Sequence, residues 1–135
     1  MLTAIAQTTI NPLLLRLMVA AIFLFNGLPK VSPDAGWGAG WNPQLDTATQ
    51  TAVAWGEVIG GAALALGFLT RLAALGIIAI MAGAIATVHG QHGFSLAQGG
   101  FEYNAAIIVM CTCLVLGGPG PLAVDRFLRL WGRES

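Results

Sequence analysis

Between Thr51 and Arg71 the chain carries a single charge, Glu57, and that carboxylate constrains what the surrounding sequence can fold into. The flanking run WGEVIGGAALALG, Trp55 to Gly67, is otherwise apolar and small. It reads as a membrane-spanning helix with a carboxylate a little over one turn inside it. A charge in such a helix costs about 2.5–3.5 kcal/mol on insertion scales, and an ionisable residue there faces a partner or a cavity rather than lipid. The rest of the chain can be read by asking which residues meet Glu57.

Composition supports the membrane reading. Hydrophobic residues make up 56% and charged residues 9% of the 135 residues, with mean hydropathy +0.77. A soluble domain carries roughly 25% charged residues. The formal net charge is zero, so nothing favours nucleic acid. The length suits one domain, a single transmembrane unit over residues 1–135. MLTAIAQTTINP has no basic segment before Arg16, so no cleaved signal peptide is expected. Cys111 and Cys113 lie two residues apart and face different directions on a helix, and no Cys-x-x-Cys motif is present.

Apolar stretches of near-spanning length predict an all-α, integral membrane four-helix bundle, with helices at about 12–30, 51–68, 70–89 and 101–117. Asn11 is the expected N-cap of the first, with Pro12 at its first helical position. The short link around Gly67 makes the second and third an antiparallel hairpin. Gly56-x-x-x-Gly60 and Ala79-x-x-x-Gly83 offer small faces for close packing. Trp37, Trp41 and Trp55 suit an aromatic belt at one interface. An amphipathic tail at about 124–133 is expected to lie on the membrane surface as a short interfacial helix. Arg16, Arg71, Arg126, Arg129 and Arg133 fall on one side and Lys30 on the other, which puts both termini in the cytoplasm.

Threaded onto this topology, the polar residues converge on one end of the bundle. Asn26 and Lys30 end the first helix, Glu57 lies in the second, His89 ends the third with His92 beyond it, and Glu102, Tyr103 and Asn104 begin the fourth. Alone among apolar groups Glu57 would take up a proton; beside Lys30 or a protonated His89 it stays ionised. Glu57 and Glu102 around a histidine would make a proton-handling group near neutral pH. The plainer alternative is a polar plug that sets helix register. A metal held by His89, His92 and Glu102 is a weaker alternative, and no haem, flavin or metal motif is expected. Arg16 is expected to snorkel to the headgroups.

Four blocks resemble the DoxX-like family of small bacterial membrane proteins: LLLRLMVAAIFLFNGLPKV, GEVIGGAALALGFLTRLAAL, HGFSLAQGGFEYNAAII and GGPGPLAVDRFL. They fall in the family's order and cover nearly the whole chain. The resemblance matches Arg16, Asn26, Lys30, Glu57, Gly60, Gly61, Arg71, His89, Glu102 and Asp125 to the family's motif positions, with Asn26 where many members have His. It implies a four-helix bundle in the bacterial inner membrane. It also implies an oxidoreductase role, since relatives include the DoxD subunit of a thiosulfate:quinone oxidoreductase. On that basis the expected ligand is a quinone at the extracytoplasmic end. Glu57 and His89 would be the catalytic proton donors or acceptors, Glu102 would tune them, and Asn26, Lys30 and Tyr103 would bind the head group. Membrane lipids and a membrane protein partner are the expected company. The alternative is a non-catalytic accessory subunit in a larger membrane complex.

Overall fold

One inward seam per helix organises the structure. The computed structural model describes residues 1–128 and is helical, with no strand among them. Arg16, Val19, Ala20, Phe23 and Gly27 are buried on the first long helix, Asn11–Lys30. Gln50, Ala54, Glu57, Gly61 and Leu64 are buried on the second, Thr47–Leu66. The third, Thr70–Ala84, buries Thr70, Ala74, Ile77 and Met81, and the fourth, Glu102–Gly117, buries Asn104, Ile107, Cys111 and Leu114. The sets follow three- and four-residue spacing, with Ala20 beside Val19 on the first helix, so each helix turns a single stripe to the common core. The first helix packs on the second, the second on the third, the third on the fourth and the fourth back on the first.

The outward faces are apolar. Phe25, Ile59, Leu72, Val109 and Leu116 are exposed, whereas Arg16, Glu57, Asn104 and Asp125 are buried. That inverts the usual soluble arrangement and is the surface that lipid requires. Two helical runs, Leu2–Lys30 and Thr70–His92, have the length and apolar content of a membrane span, and Glu102–Gly117 is a shorter apolar helix. Cys111 lies in the core and Cys113 is exposed, as their spacing anticipates.

Helix boundaries depart from the sequence reading where local chemistry differs from it. Asn11 caps nothing, because the chain is already helical through Leu2–Ile5 and a π turn at Ala6–Ile10. Pro12 lacks an N–H and its ring crowds the preceding turn; the widened π turn just before it accommodates both. The second helix begins at Thr47 rather than near Thr51, because Asp46 caps it. One Asp46 carboxylate oxygen accepts from Thr49 N at 3.0 Å and the other from the Thr49 hydroxyl at 2.6 Å. Glu57 therefore sits midway along its helix. The third helix continues past Ala84 as a π turn to His89.

Glycines set the helix spacing. A Cβ on Gly27 would lie 3.0 Å from Glu57 Cβ, and one on Gly61 would lie 3.2 Å from Leu24 N, so the first two helices touch backbone to side chain. Gly56 and Gly60 receive Ile80 and Ile77 of the third helix. The expected partner face does not pack in this way: Gly83 has nothing within 4 Å and lines open space.

At the hairpin end, two buried ionic side chains tie the fold together. Arg16 does not snorkel. It is 2% exposed and donates to Leu64 O (3.0 Å), Pro119 O (2.7 Å) and Leu122 O (2.9 Å). Leu64 O belongs to the last turn of the second helix, where carbonyls lack helical partners and a cation is favoured. Gly67 then closes that helix at φ +68, with Phe68 N donating to Ala63 O and Gly67 N to Leu64 O. A Cβ there would meet Ala123 Cβ at 2.5 Å and Arg16 Cζ at 2.8 Å.

The tail helix starts where the sequence places it, at Val124. Its described part, Val124–Leu128, docks on the hairpin with Asp125 1% exposed, and residues 129–133 lie outside the described residues. The Asp125 carboxylate accepts from Leu69 N and from Thr70 N (2.7 Å), and so caps the third helix from 55 residues away. Asp125 N in turn donates to Gly67 O at 2.9 Å.

Two tests follow from these caps. Asp125→Ala removes both acceptors and is expected to cost about 1–3 kcal/mol; an unchanged melting temperature in detergent, read by circular dichroism, would refute the clasp. The Thr49 hydroxyl and N–H hold the Asp46 carboxyl below its ordinary range. Its folded pKa is thus lower than its unfolded one, so its stabilisation is complete above the unfolded value and is lost as pH falls through the folded value. Amide protection over Thr47–Thr51, taken relative to the intrinsic exchange rate at each pH, should fall below about pH 4, and Asp46→Asn should remove that pH dependence.

Candidate functional site

At the opposite end, where the two long loops lie, Lys30 closes the first helix and reaches the Glu57 side chain on the second. Its Nζ donates to Glu57 Oε1 at 2.9 Å and to Oε2 at 2.7 Å. Of the two partners the sequence offered for Glu57, Lys30 is the one in contact. Gly27 makes this possible one turn before Lys30, because a side chain there would hold the helices apart. The ammonium also sits at a helix C-terminus, where positive charge is favoured. Breaking such a pair on one side leaves a charge without its counterion, which is far costlier than removing both.

The first long loop covers the pair. Trp41 lies with its ring centroid 4.3 Å from Lys30 Nζ, in a cation–π contact. Gln50 holds it there. Trp41 Nε1 donates to Gln50 O at 3.0 Å, Asn42 N donates to Gln50 Oε1 at 2.9 Å, and Gln50 Nε2 donates to Leu45 O at 2.8 Å. Trp55 Nε1 donates to Trp37 O at 3.0 Å. These tryptophan N–H groups therefore bind the loop to the bundle.

Behind the pair lies a cavity of about 590 Å³, within the size range of small-molecule sites. It draws on all four helices and the first loop. Asn26, Lys30, Glu57, His89 and Tyr103 line it; Glu102 and His92 do not. Lys30 and Glu57 are its charged residues, and Ile22, Phe23, Val53, Ile80 and Val88 supply apolar wall.

His89 Nδ1 lies 2.8 Å from Gly99 O. A carbonyl only accepts, so Nδ1 carries the proton and Nε2 is the basic nitrogen of the neutral ring. The second loop that presents Gly99 is held by Glu102: Leu96 N donates to Glu102 Oε2 at 3.0 Å, and Glu102 N to Phe94 O at 2.9 Å. Glu102 thus bonds the loop whose Gly99 carbonyl meets His89. His92 turns to Val88 O at 2.9 Å. No group of three His, Cys, Asp or Glu side chains among the described residues could hold a metal ion.

Three lining residues, Trp41, Asn42 and Asn104, and Gln50 behind them were not singled out as site residues from the sequence. Asn104 is 3% exposed and donates from Nδ2 to Met81 Sδ at 3.4 Å. It is the polar member of an otherwise apolar seam and was among the polar residues that the sequence brings to this end. Gln50 is on the same seam as Glu57, seven residues earlier, and is equally legible in hindsight. Trp41 and Asn42 carry no such signal, because only the folded loop brings them to Lys30.

The pair predicts a coupling that can be measured. Lys30→Met and Glu57→Leu should each lower stability, and the double substitution should be less destabilising than the sum, by about 1–3 kcal/mol. Additive losses in a detergent unfolding cycle would mean that the contact contributes nothing.

A family model described as DoxX matches residues 11–90. The matched range contains Arg16, Asn26, Lys30, Glu57 and His89, while Glu102, Tyr103 and Asp125 lie beyond it. No curated protein and no solved structure matches the chain.

Proposed function

The chain belongs to the DoxX family and is a membrane protein, and from that premise we propose that it is a quinone-linked oxidoreductase component of the bacterial inner membrane. In this reading residues 1–135 form one four-helix transmembrane domain with both termini cytoplasmic, so the cavity opens near the extracytoplasmic face. The carrying observation is the cavity itself, in which Asn26, Lys30, Glu57, His89 and Tyr103 meet inside apolar walls of a size that suits a ring ligand.

A quinone supplies the electron acceptor, and the chain's residues handle protons and orientation. Two-electron reduction of the ring consumes two protons, and Glu57 and His89 Nε2, both proton acceptors at rest, take these up from water at the loop end and pass one to each ring oxygen. Lys30 keeps the Glu57 carboxylate in place and ionised, Asn26 and Tyr103 orient the head group, and Glu102 positions His89 through Gly99. Electrons come from a small reductant or from a partner membrane protein.

A second reading, an accessory subunit in a larger membrane complex, draws support from a shallow groove along Gly56, Gly60, Ala63, Gly76 and Leu72 on the outer surface of the second and third helices. Small residues of this kind let another helix approach closely. Mass spectrometry of the detergent-purified protein separates the two. Stoichiometric quinone in wild type, lost in Glu57→Gln with the fold intact, is the expected result. No quinone in either, with one protein partner retained in both, would remove the redox reading and leave the accessory role.

A further inference from the structure

The ammonium of Lys30 is the positive charge on the cavity lining, and it is already engaged. Two of its N–H groups meet the two oxygens of Glu57, and the Trp41 ring covers a further side. Other donors on the lining are engaged too. Asn26 Nδ2 donates to Ile22 O, the Thr49 hydroxyl to Asp46, the Thr87 hydroxyl to Gly83 O, and Asn104 Nδ2 to Met81 Sδ. His89 has its Nδ1 proton on Gly99 O. The lining therefore holds one positive and one negative charge locked together, and few donors turned toward the ligand space.

An anion entering this space would have to take Lys30 from Glu57. The displaced carboxylate, 5% exposed in the folded protein, would then lie desolvated beside a second negative charge. A neutral ring asks for much less: one donor, such as the Tyr103 hydroxyl, and apolar wall for the remainder. Resting on the quinone-site reading above, we propose that the Lys30–Glu57 pair is a charge filter, which reserves the cavity for neutral amphiphilic ligands and keeps anionic ones out. The rejection is built by occupying the cation in advance, which is specificity against a competitor rather than affinity for the ligand.

Two probes of one ring system test this on the full-length protein in detergent: menadione, which is neutral, and a naphthoquinone sulfonate, which is anionic. Binding is read by equilibrium dialysis with gel filtration as the control for fold. Wild type should bind menadione and should bind the sulfonate at least about tenfold more weakly. Glu57→Gln uncovers the ammonium and should reverse the order, gaining the sulfonate by about tenfold or more, and Lys30→Met added to it should abolish that gain. Glu57→Ala serves where Glu57→Gln does not give a monodisperse protein. Equal binding of both probes by wild type overturns the filter, as does a Glu57 variant that gains no sulfonate. Failure of wild type to bind either probe ends the quinone reading by itself; the filter then stands if the Glu57 variant acquires the sulfonate and falls if it does not.

Discussion

A carboxylate on the inward face of an apolar helix has to be answered by something, and in this protein the answer is Lys30. The contact needs three things at once. Gly27 has to bring the first helix close enough, the first helix has to end at Lys30 so that its side chain can reach along the second, and Glu57 has to lie on the same seam as Gly61 and Leu64. The loop after Lys30 then finds its place by the same logic, with Trp41 on the ammonium and Gln50 taking up the polar groups of residues 41–45. The cavity is what remains between this closed corner and the third and fourth helices, where Gly83 leaves room.

The hairpin end solves the matching problem with the charges arranged differently. There the buried ions do not pair through short contacts with each other but answer backbone groups. Arg16 takes the carbonyls at the end of the second helix and in the segment after the fourth, and Asp125 takes the N–H groups at the start of the third. Each helix terminus exposes such groups, and in an apolar surrounding water is not there to satisfy them. The chain thus has a structural polar knot at one end, made of ion-to-backbone bonds, and an ion pair beside a cavity at the other. The first kind holds helices in place and leaves no space. The second kind leaves a space with a carboxylate and an imidazole facing it.

This contrast explains what could be read in advance. Helix number, the hairpin and the convergence of Asn26, Lys30, Glu57, His89 and Tyr103 follow from apolar periodicity, because each seam repeats over several turns and a short link fixes its neighbour. Arg16 was misplaced, and the capping role of Asp125 went unread, because their partners are main-chain groups, which every residue has, so no side-chain pattern announces them. An arginine near a helix end reads as snorkelling until the carbonyls it serves are located. The early start of the second helix was visible in Asp46 and Thr49, a capping pattern that the search for an apolar run passes over. Glu102 was placed with the other polar residues by position alone. Its one-residue offset from Tyr103 turns it to the loop instead of the cavity.

Stability does not account for the ion pair at the loop end. An apolar pair of similar volume commonly holds helices together as well as a buried salt bridge or better, and the rest of this core, from Val19 and Phe23 to Ile107 and Leu114, is built that way. A register role is possible for any polar contact in a bundle, but register here is already set by the Gly27 and Gly61 approaches on one side of the second helix and by Ile77 and Ile80 against Gly60 and Gly56 on the other. Lys30 and Glu57 are superfluous to that packing. What they add is a charge-balanced polar corner beside His89 and Tyr103 in a cavity whose remaining wall is largely apolar.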